Sequence, residues 1–125
     1  MAGSRITRAM FVLAVPDLAR SARFYQDVLG FEVREIGDPG WRMYLKDECR
    51  IMAGECPDAT PPAELGDHSY FGYFVVSDVD QCYREAVGLG AEVLKPLRDE
   101  PWGMREFALR TVDGHRIMLG SELTP

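Results

Sequence analysis

The chain reads as an α+β domain made of two tandem βαβββ modules, and three observations predict it. Strand-like and helix-like patterns follow one another in the order β-α-β-β-β, and then do so again. Short segments recur in the same order at offsets of 60 to 66 residues. The length of 125 residues, with 46% hydrophobic and 27% charged residues, suits one globular domain that buries its core without disulfides or a structural metal.

The run from Ile6 to Val15 is rich in β-branched and apolar residues and predicts a strand, stopped by Pro16, with Asp17 placed to cap a helix. In the stretch that follows, Leu18, Ala22, Tyr25 and Leu29 fall on one helical face, and Gly30 supplies the left-handed cap that ends it. Phe31 to Ile36 alternates apolar with charged residues, the period of a strand with one wet face, and Asp38-Pro39-Gly40 is a turn. Trp41 to Leu45 and Cys49 to Ala53 are two further strands around Lys46-Asp47-Glu48.

Residues 55–68 carry Pro57, Pro61 and Pro62 among small and acidic residues, a linker or a flap over a site. Then the pattern restarts. Tyr70 to Val76 predicts a strand, and Asp78 to Val87 a helix with Val79, Tyr83 and Ala86 on one face, ended by Gly88 and Gly90. Ala91 to Leu94 is a strand broken at Lys95-Pro96, Met104 to Thr111 a longer one, and Asp113-Gly114 turns into His115 to Gly120.

The repeat is explicit in the residues. Val15-Pro16-Asp17-Leu18 matches Val76-Ser77-Asp78-Val79, Leu29-Gly30-Phe31-Glu32-Val33 matches Leu89-Gly90-Ala91-Glu92-Val93, and Arg50-Ile51-Met52 matches Arg116-Ile117-Met118. The modules are therefore placed at 5–54 and 69–122. Neither is large enough to close its own sheet; paired, they are expected to form a curved mixed sheet around a cleft, with the helices on the convex side.

Composition excludes several function classes. A net charge of −6 has the wrong sign for nucleic acid or an anionic membrane surface. No apolar run approaches the roughly 18 residues of a spanning helix, and Met-Ala-Gly-Ser-Arg lacks the apolar stretch of a secretory signal, so the expected location is cytoplasmic. Three cysteines, Cys49, Cys56 and Cys82, are an odd count with no CxxC, the pattern of reduced thiols.

The run from Val15 to Val33, the segment Trp102-Gly103-Met104-Arg105-Glu106-Phe107 and the segment Val112-Asp113-Gly114-His115-Arg116-Ile117 together resemble the vicinal oxygen chelate superfamily, over essentially the whole chain. That superfamily includes glyoxalase I, extradiol dioxygenases, fosfomycin-resistance transferases and bleomycin-resistance binding proteins. In its metalloenzymes, four strand positions supply His, Gln or Glu ligands to one divalent cation. The resemblance carries those positions onto Met10, Met52, Phe71 and Met118. Thioethers are soft and uncharged, so three of them beside a phenyl ring are a poor donor set for Zn, Mg, Fe(II) or Mn, and no metal or other cofactor is expected.

If the ligand positions point inward, strand alternation brings Val12, Tyr44, Arg50, Tyr73 and Arg116 to the same face. Trp41 and Trp102 either stack on a planar ligand or plug the sheet edge. Arg105 either binds a ligand carboxylate or phosphate, or pairs with Glu106 or Glu100. His115 reads as a solvent-facing turn residue, and His68 is the one candidate general base. The implied function is metal-free capture of a planar or partly apolar small molecule, as in the bleomycin-resistance binders, with antibiotic resistance as one use of it; the resemblance also implies a homodimer with sites between modules. The alternative is a lyase, isomerase or dioxygenase of the same superfamily, metal-dependent through unusual ligands or cofactor-independent through His68 or a tyrosine.

Overall fold

The computed structural model describes residues 3–124. The first half of the chain folds as β1 (Phe11–Val15), α1 (Leu18–Asp27), β2 (Glu32–Glu35), β3 (Trp41–Lys46) and β4 (Cys49–Glu55). The second folds as β5 (Tyr70–Val75), α2 (Val79–Gly88), β6 (Glu92–Asp99), β7 (Met104–Arg110) and β8 (Arg116–Glu122). Between them the proline-rich stretch makes one turn of 3-10 helix, Pro62–Glu64.

The same local physics acts twice. The Asp17 and Asp78 side chains accept from the backbone N–H of Arg20 and Gln81, each at 3.1 Å, and so satisfy a free donor at each helix start. Gly30 and Gly90, at φ +75° and +84°, turn the chain out of each helix in the left-handed region open to glycine.

The strands form two four-stranded mixed sheets, ordered β1-β4-β3-β2 and β5-β8-β7-β6. The β1/β4 and β5/β8 pairs are parallel, and the rest are antiparallel. One helix covers one face of each sheet. Leu13, Val15, Tyr44, Ile51 and Ala53 pack with Leu18 and Tyr25 of α1; Phe107, Leu109, Ile117 and Leu119 pack with Val79 and Ala86 of α2. Phe24, Leu29, Phe71 and Phe74 touch both clusters and join the modules.

Two strands differ from the sequence reading, each for a reason of pairing. β1 begins at Phe11 and not at Ile6, because its parallel partner runs out there: Phe11 pairs with Ile51, close to the start of β4. β6 continues through Lys95-Pro96 to Asp99 with register shifts on both sides of Lys95. It is an edge strand, where a proline forfeits no ladder bond.

A buried polar chain also ties the halves together. The Tyr44 hydroxyl donates to Ser21 Oγ at 2.8 Å, and Ser21 Oγ donates to Asp113 Oδ2 at 2.7 Å, linking β3 and α1 of the first module to the β7–β8 turn of the second. Tyr44 is also stacked on Tyr25, with ring centroids 4.5 Å apart. Burial pushes the Asp113 carboxyl up to about 6; the Ser21 hydrogen bond and Arg20 pull it down, and Asp17 adds repulsion.

A raised carboxyl pKa favours folding in the protonated form, so this stability is present below the unfolded pKa near 3.8 and is lost as pH rises through about 6. Urea titrations of wild type and Asp113→Asn should therefore show a stability difference that moves in the variant's favour by on the order of 2 kcal/mol between about pH 4.5 and about pH 7.5. A difference that does not change with pH contradicts the assignment.

Candidate functional site

The hairpin between β3 and β4 is a two-residue link in which Lys46 pairs with Cys49, and Asp47 takes φ +49°. That register sets Met43 opposite Met52, and Tyr44 opposite Ile51. Met52 also lies beside Val12 of β1. Directly opposed residues share a face, so Val12, Met43 and Met52 lie on the face that α1 leaves open; Met10 is half-buried in the stretch just before β1. Trp41 covers Gly54 there: a Cβ on Gly54 would come within 2.7 Å of the indole.

In the second sheet, Tyr73 pairs with Met118, Met118 with Ala108, and Gly120 with Glu106, all on the face away from α2. Glu106 is only 1% exposed, yet it faces no apolar core. Its Oε1 accepts from the Tyr73 hydroxyl and from Trp102 Nε1, both at 2.9 Å, and its Oε2 accepts from Lys95 Nζ at 2.7 Å. The missing side chain at Gly120 makes room for this, since a Cβ there would collide with the Tyr73 hydroxyl and come within 3.0 Å of Glu106 Cβ. Burial pushes the Glu106 carboxyl up, but the donors from Lys95, Trp102 and Tyr73 more than offset it and hold it below the usual range. The Tyr73 hydroxyl is raised by burial and by that same carboxylate.

The result is a recessed anion that fixes two aromatic rings. Lys95, which also pairs with Glu100 at 3.1 Å, lies 5.3 Å from the centroid of the Trp102 ring. Trp102 is 62% exposed and Tyr73 39% exposed, so the held rings still offer apolar surface. In the first module the corresponding surface is Val12, Met43 and Met52, with Val12 at 63% exposure. Such surfaces stack on and enclose flat or flexible apolar molecules.

The structure places some sequence-derived candidates elsewhere. Tyr44 is fully buried on the helix-covered side, with burial raising its hydroxyl to about 12, and does not reach the open face. Phe71 sits at a register shift in β5 and turns into the seam between modules, against Phe11 and Phe74. Arg105 points to the helix side, bound to Asp80 at 3.0 Å and Asp99 at 2.9 Å, partners other than Glu106 or Glu100. His68 is exposed in the loop at φ +75°. His115 is no solvent-facing turn residue: its Nδ1 is buried with no hydrogen-bond partner among the described residues, its ring meets Phe71 edge to face, and burial lowers its pKa. Arg116 is buried and donates to the carbonyls of Gly66 and Leu65, anchoring the loop, while Arg50 donates to the carbonyls of Asp47 and Cys49.

Met43, Glu106 and Lys95 were not among the expected site residues, and Trp41 was not preferred over an edge plug. The signal for Met43 was available. A two-residue link at Asp47-Glu48 makes residue numbers on the paired strands sum to 95, which sets 43 against 52. Glu106 carried no such signal, because its three donors come from β5, β6 and the turn before β7.

Two βαβββ units, each with one helix-covered and one open sheet face, define the scaffold of the vicinal oxygen chelate proteins. The chain belongs to the Glyoxalase/Bleomycin resistance protein/Dioxygenase superfamily, whose model matches residues 6–119. It is 28% identical over 123 residues to an uncharacterized protein of Mycobacterium tuberculosis, across 86% of this chain and 70% of that one. Its fold is similar to that of TioX from Micromonospora sp. ML1 (TM-score 0.73, 22% identity, 93% of this chain and 100% of that one). It is also similar to a glyoxalase-related enzyme from Clostridium phytofermentans (TM-score 0.79, 13% identity, 98% and 100%).

Removing the anion tests the cluster. In a Trp41→Phe background, which leaves Trp102 as the sole indole, Glu106→Gln should lower the steady-state fluorescence anisotropy and cost roughly 1–3 kcal/mol of stability, since Lys95 loses its closer carboxylate and keeps only Glu100. Unchanged anisotropy would mean that Trp102 is held by something else.

Proposed function

We propose that the chain is a metal-independent small-molecule-binding protein of this superfamily, which captures a planar or partly apolar ligand on its open sheet faces and performs no chemistry on it. The donor chemistry at the family's metal positions carries this reading. Met10, Met52 and Met118 offer neutral thioethers, Phe71 offers a ring that turns into the module seam, and none is a hard donor for a divalent cation. Among the described residues no group of three or more His, Cys, Asp or Glu is arranged to hold a metal ion. The residues present do not fit the family's metal centre.

The residues that replace those ligands suit retention. Methionine adapts to irregular shapes, and the Trp102 and Tyr73 rings, held by Glu106, give flat contact area without further loss of rotamer freedom on binding. Binding of this kind lowers the free concentration of a harmful compound, which is how capture would serve resistance. The acidic chain suits a neutral or cationic guest.

The functional unit in this reading is a homodimer. Each open face is half a site, and β1 and β5 each end a sheet, exposing Val12 at 63% and Val75 at 70%. A second copy laid on these faces covers that apolar surface and encloses a ligand between modules.

A thermal-shift screen of planar aromatic compounds, cationic antibiotics and divalent metals tests the proposal, because a ligand of the folded state raises its apparent Tm. Members of the first two groups should raise Tm, metals should not, and Trp102→Ala should weaken the aromatic hits about 3- to 10-fold, the worth of one stacking contact. A response to metals alone at stoichiometric concentration would sink the proposal.

A further inference from the structure

The seam between the modules holds a second recess, on the helix-covered side of the sheets. It is a cavity of about 390 Å³, within the range of small-molecule sites. Phe11, Leu29 and Phe31 of the first module and Phe74, Phe107 and Leu119 of the second line it. Tyr73 and Val75, on the open side of the border strand β5, also reach its lining, whereas Trp102, Glu106 and Met118 take no part in it. The recess opens to solvent, and water inside it meets mostly carbon. An apolar guest displaces that water.

The mouth has a definite charge. The β3–β4 turn contributes Lys46, Asp47 and Glu48, and α2 contributes Glu85. The Lys46 ammonium is already engaged, donating to the Leu29 carbonyl at 2.8 Å, whereas among the described residues the Glu85 carboxylate accepts only from the neutral Gln81 amide at 2.9 Å. Among the described residues Asp47, Glu48 and Glu85 form no ion pair with a basic side chain. Three carboxylates against one occupied ammonium leave an anionic rim over an apolar interior.

We propose that this inter-module cavity is a second binding site, and that it takes an amphiphilic cation whose apolar body fills the recess while its ammonium head lies against Asp47, Glu48 and Glu85. The site comes with its own reporters. Cys49 and Cys82 line the cavity, while Cys56 is exposed in the loop outside it. Burial raises the thiol pKa of both cavity cysteines, so their alkylation is slow and sensitive to access.

The test measures iodoacetamide alkylation of each cysteine by mass spectrometry at mildly alkaline pH, with decyltrimethylammonium or decanoate below their micellar concentrations. At ten times its half-saturating concentration, decyltrimethylammonium should slow Cys49 and Cys82 about tenfold and leave Cys56 unchanged, with decanoate much weaker. Glu85→Lys, at an exposed position, leaves two carboxylates against two ammonium groups and should erase most of that preference, and Cys82→Phe, which fills the recess, should abolish the protection of Cys49. Equal or greater protection by decanoate in the wild type, or no slowing specific to Cys49 and Cys82, overturns the proposal; if Cys82→Phe does not fold, Glu85→Lys decides it alone.

Discussion

Strand register at two hairpins governs everything on the open faces. Lys46 pairs with Cys49 across one turn, and Arg110 with Arg116 across the other. Those pairings decide that Tyr44, Ile51, Phe107 and Ile117 go under the helices while Met43, Met52, Glu106 and Met118 go to the other side. A slip of one residue would exchange the two sets, driving the Glu106 carboxylate into the apolar core and lifting Tyr44 off Tyr25 and Ser21. The buried side enforces the register, and the open side inherits it.

Burial of Glu106 is tolerable because the same register places Gly120 opposite it. The glycine leaves space for the Tyr73 hydroxyl, Trp102 and Lys95 bring two further donors, and the carboxylate is satisfied at both oxygens. The repeat has a different solution at the equivalent place in the first sheet, where Trp41 lies directly over Gly54. One scaffold thus supports an indole pressed on the sheet and, in its second copy, an indole held off the sheet by an anion.

Much of the fold was legible in the sequence because the signals for it are local. Asp17 and Asp78, Gly30 and Gly90 cap and end helices by chemistry confined to a few residues, and the offsets between them expose the duplication. The site was legible only in part. Met10, Met52 and Met118 follow from the family's ligand spacing, but the face of Tyr44 depends on the length of a turn, and the direction of Phe71 on a register shift in β5 that no pattern in Tyr70-Phe71-Gly72 announces. Arg105 illustrates the same limit: its partners, Asp80 and Asp99, lie on α2 and β6. His115 looked like a turn residue beside Asp113-Gly114 and became half-buried when the seam closed on it.

The central claim is that methionines stand on the open faces where the family's metalloenzymes hold a cation, and that they hold a guest molecule in its place. Methyl NMR of protein labelled at the methionine ε-carbons reads both halves of that claim at once. The account predicts that a planar aromatic ligand shifts the Met10, Met52 and Met118 methyl resonances, while stoichiometric Mn(II) leaves their line widths unchanged. Paramagnetic broadening of those three methyls by one equivalent of Mn(II), with no response to the aromatic ligand, would contradict it.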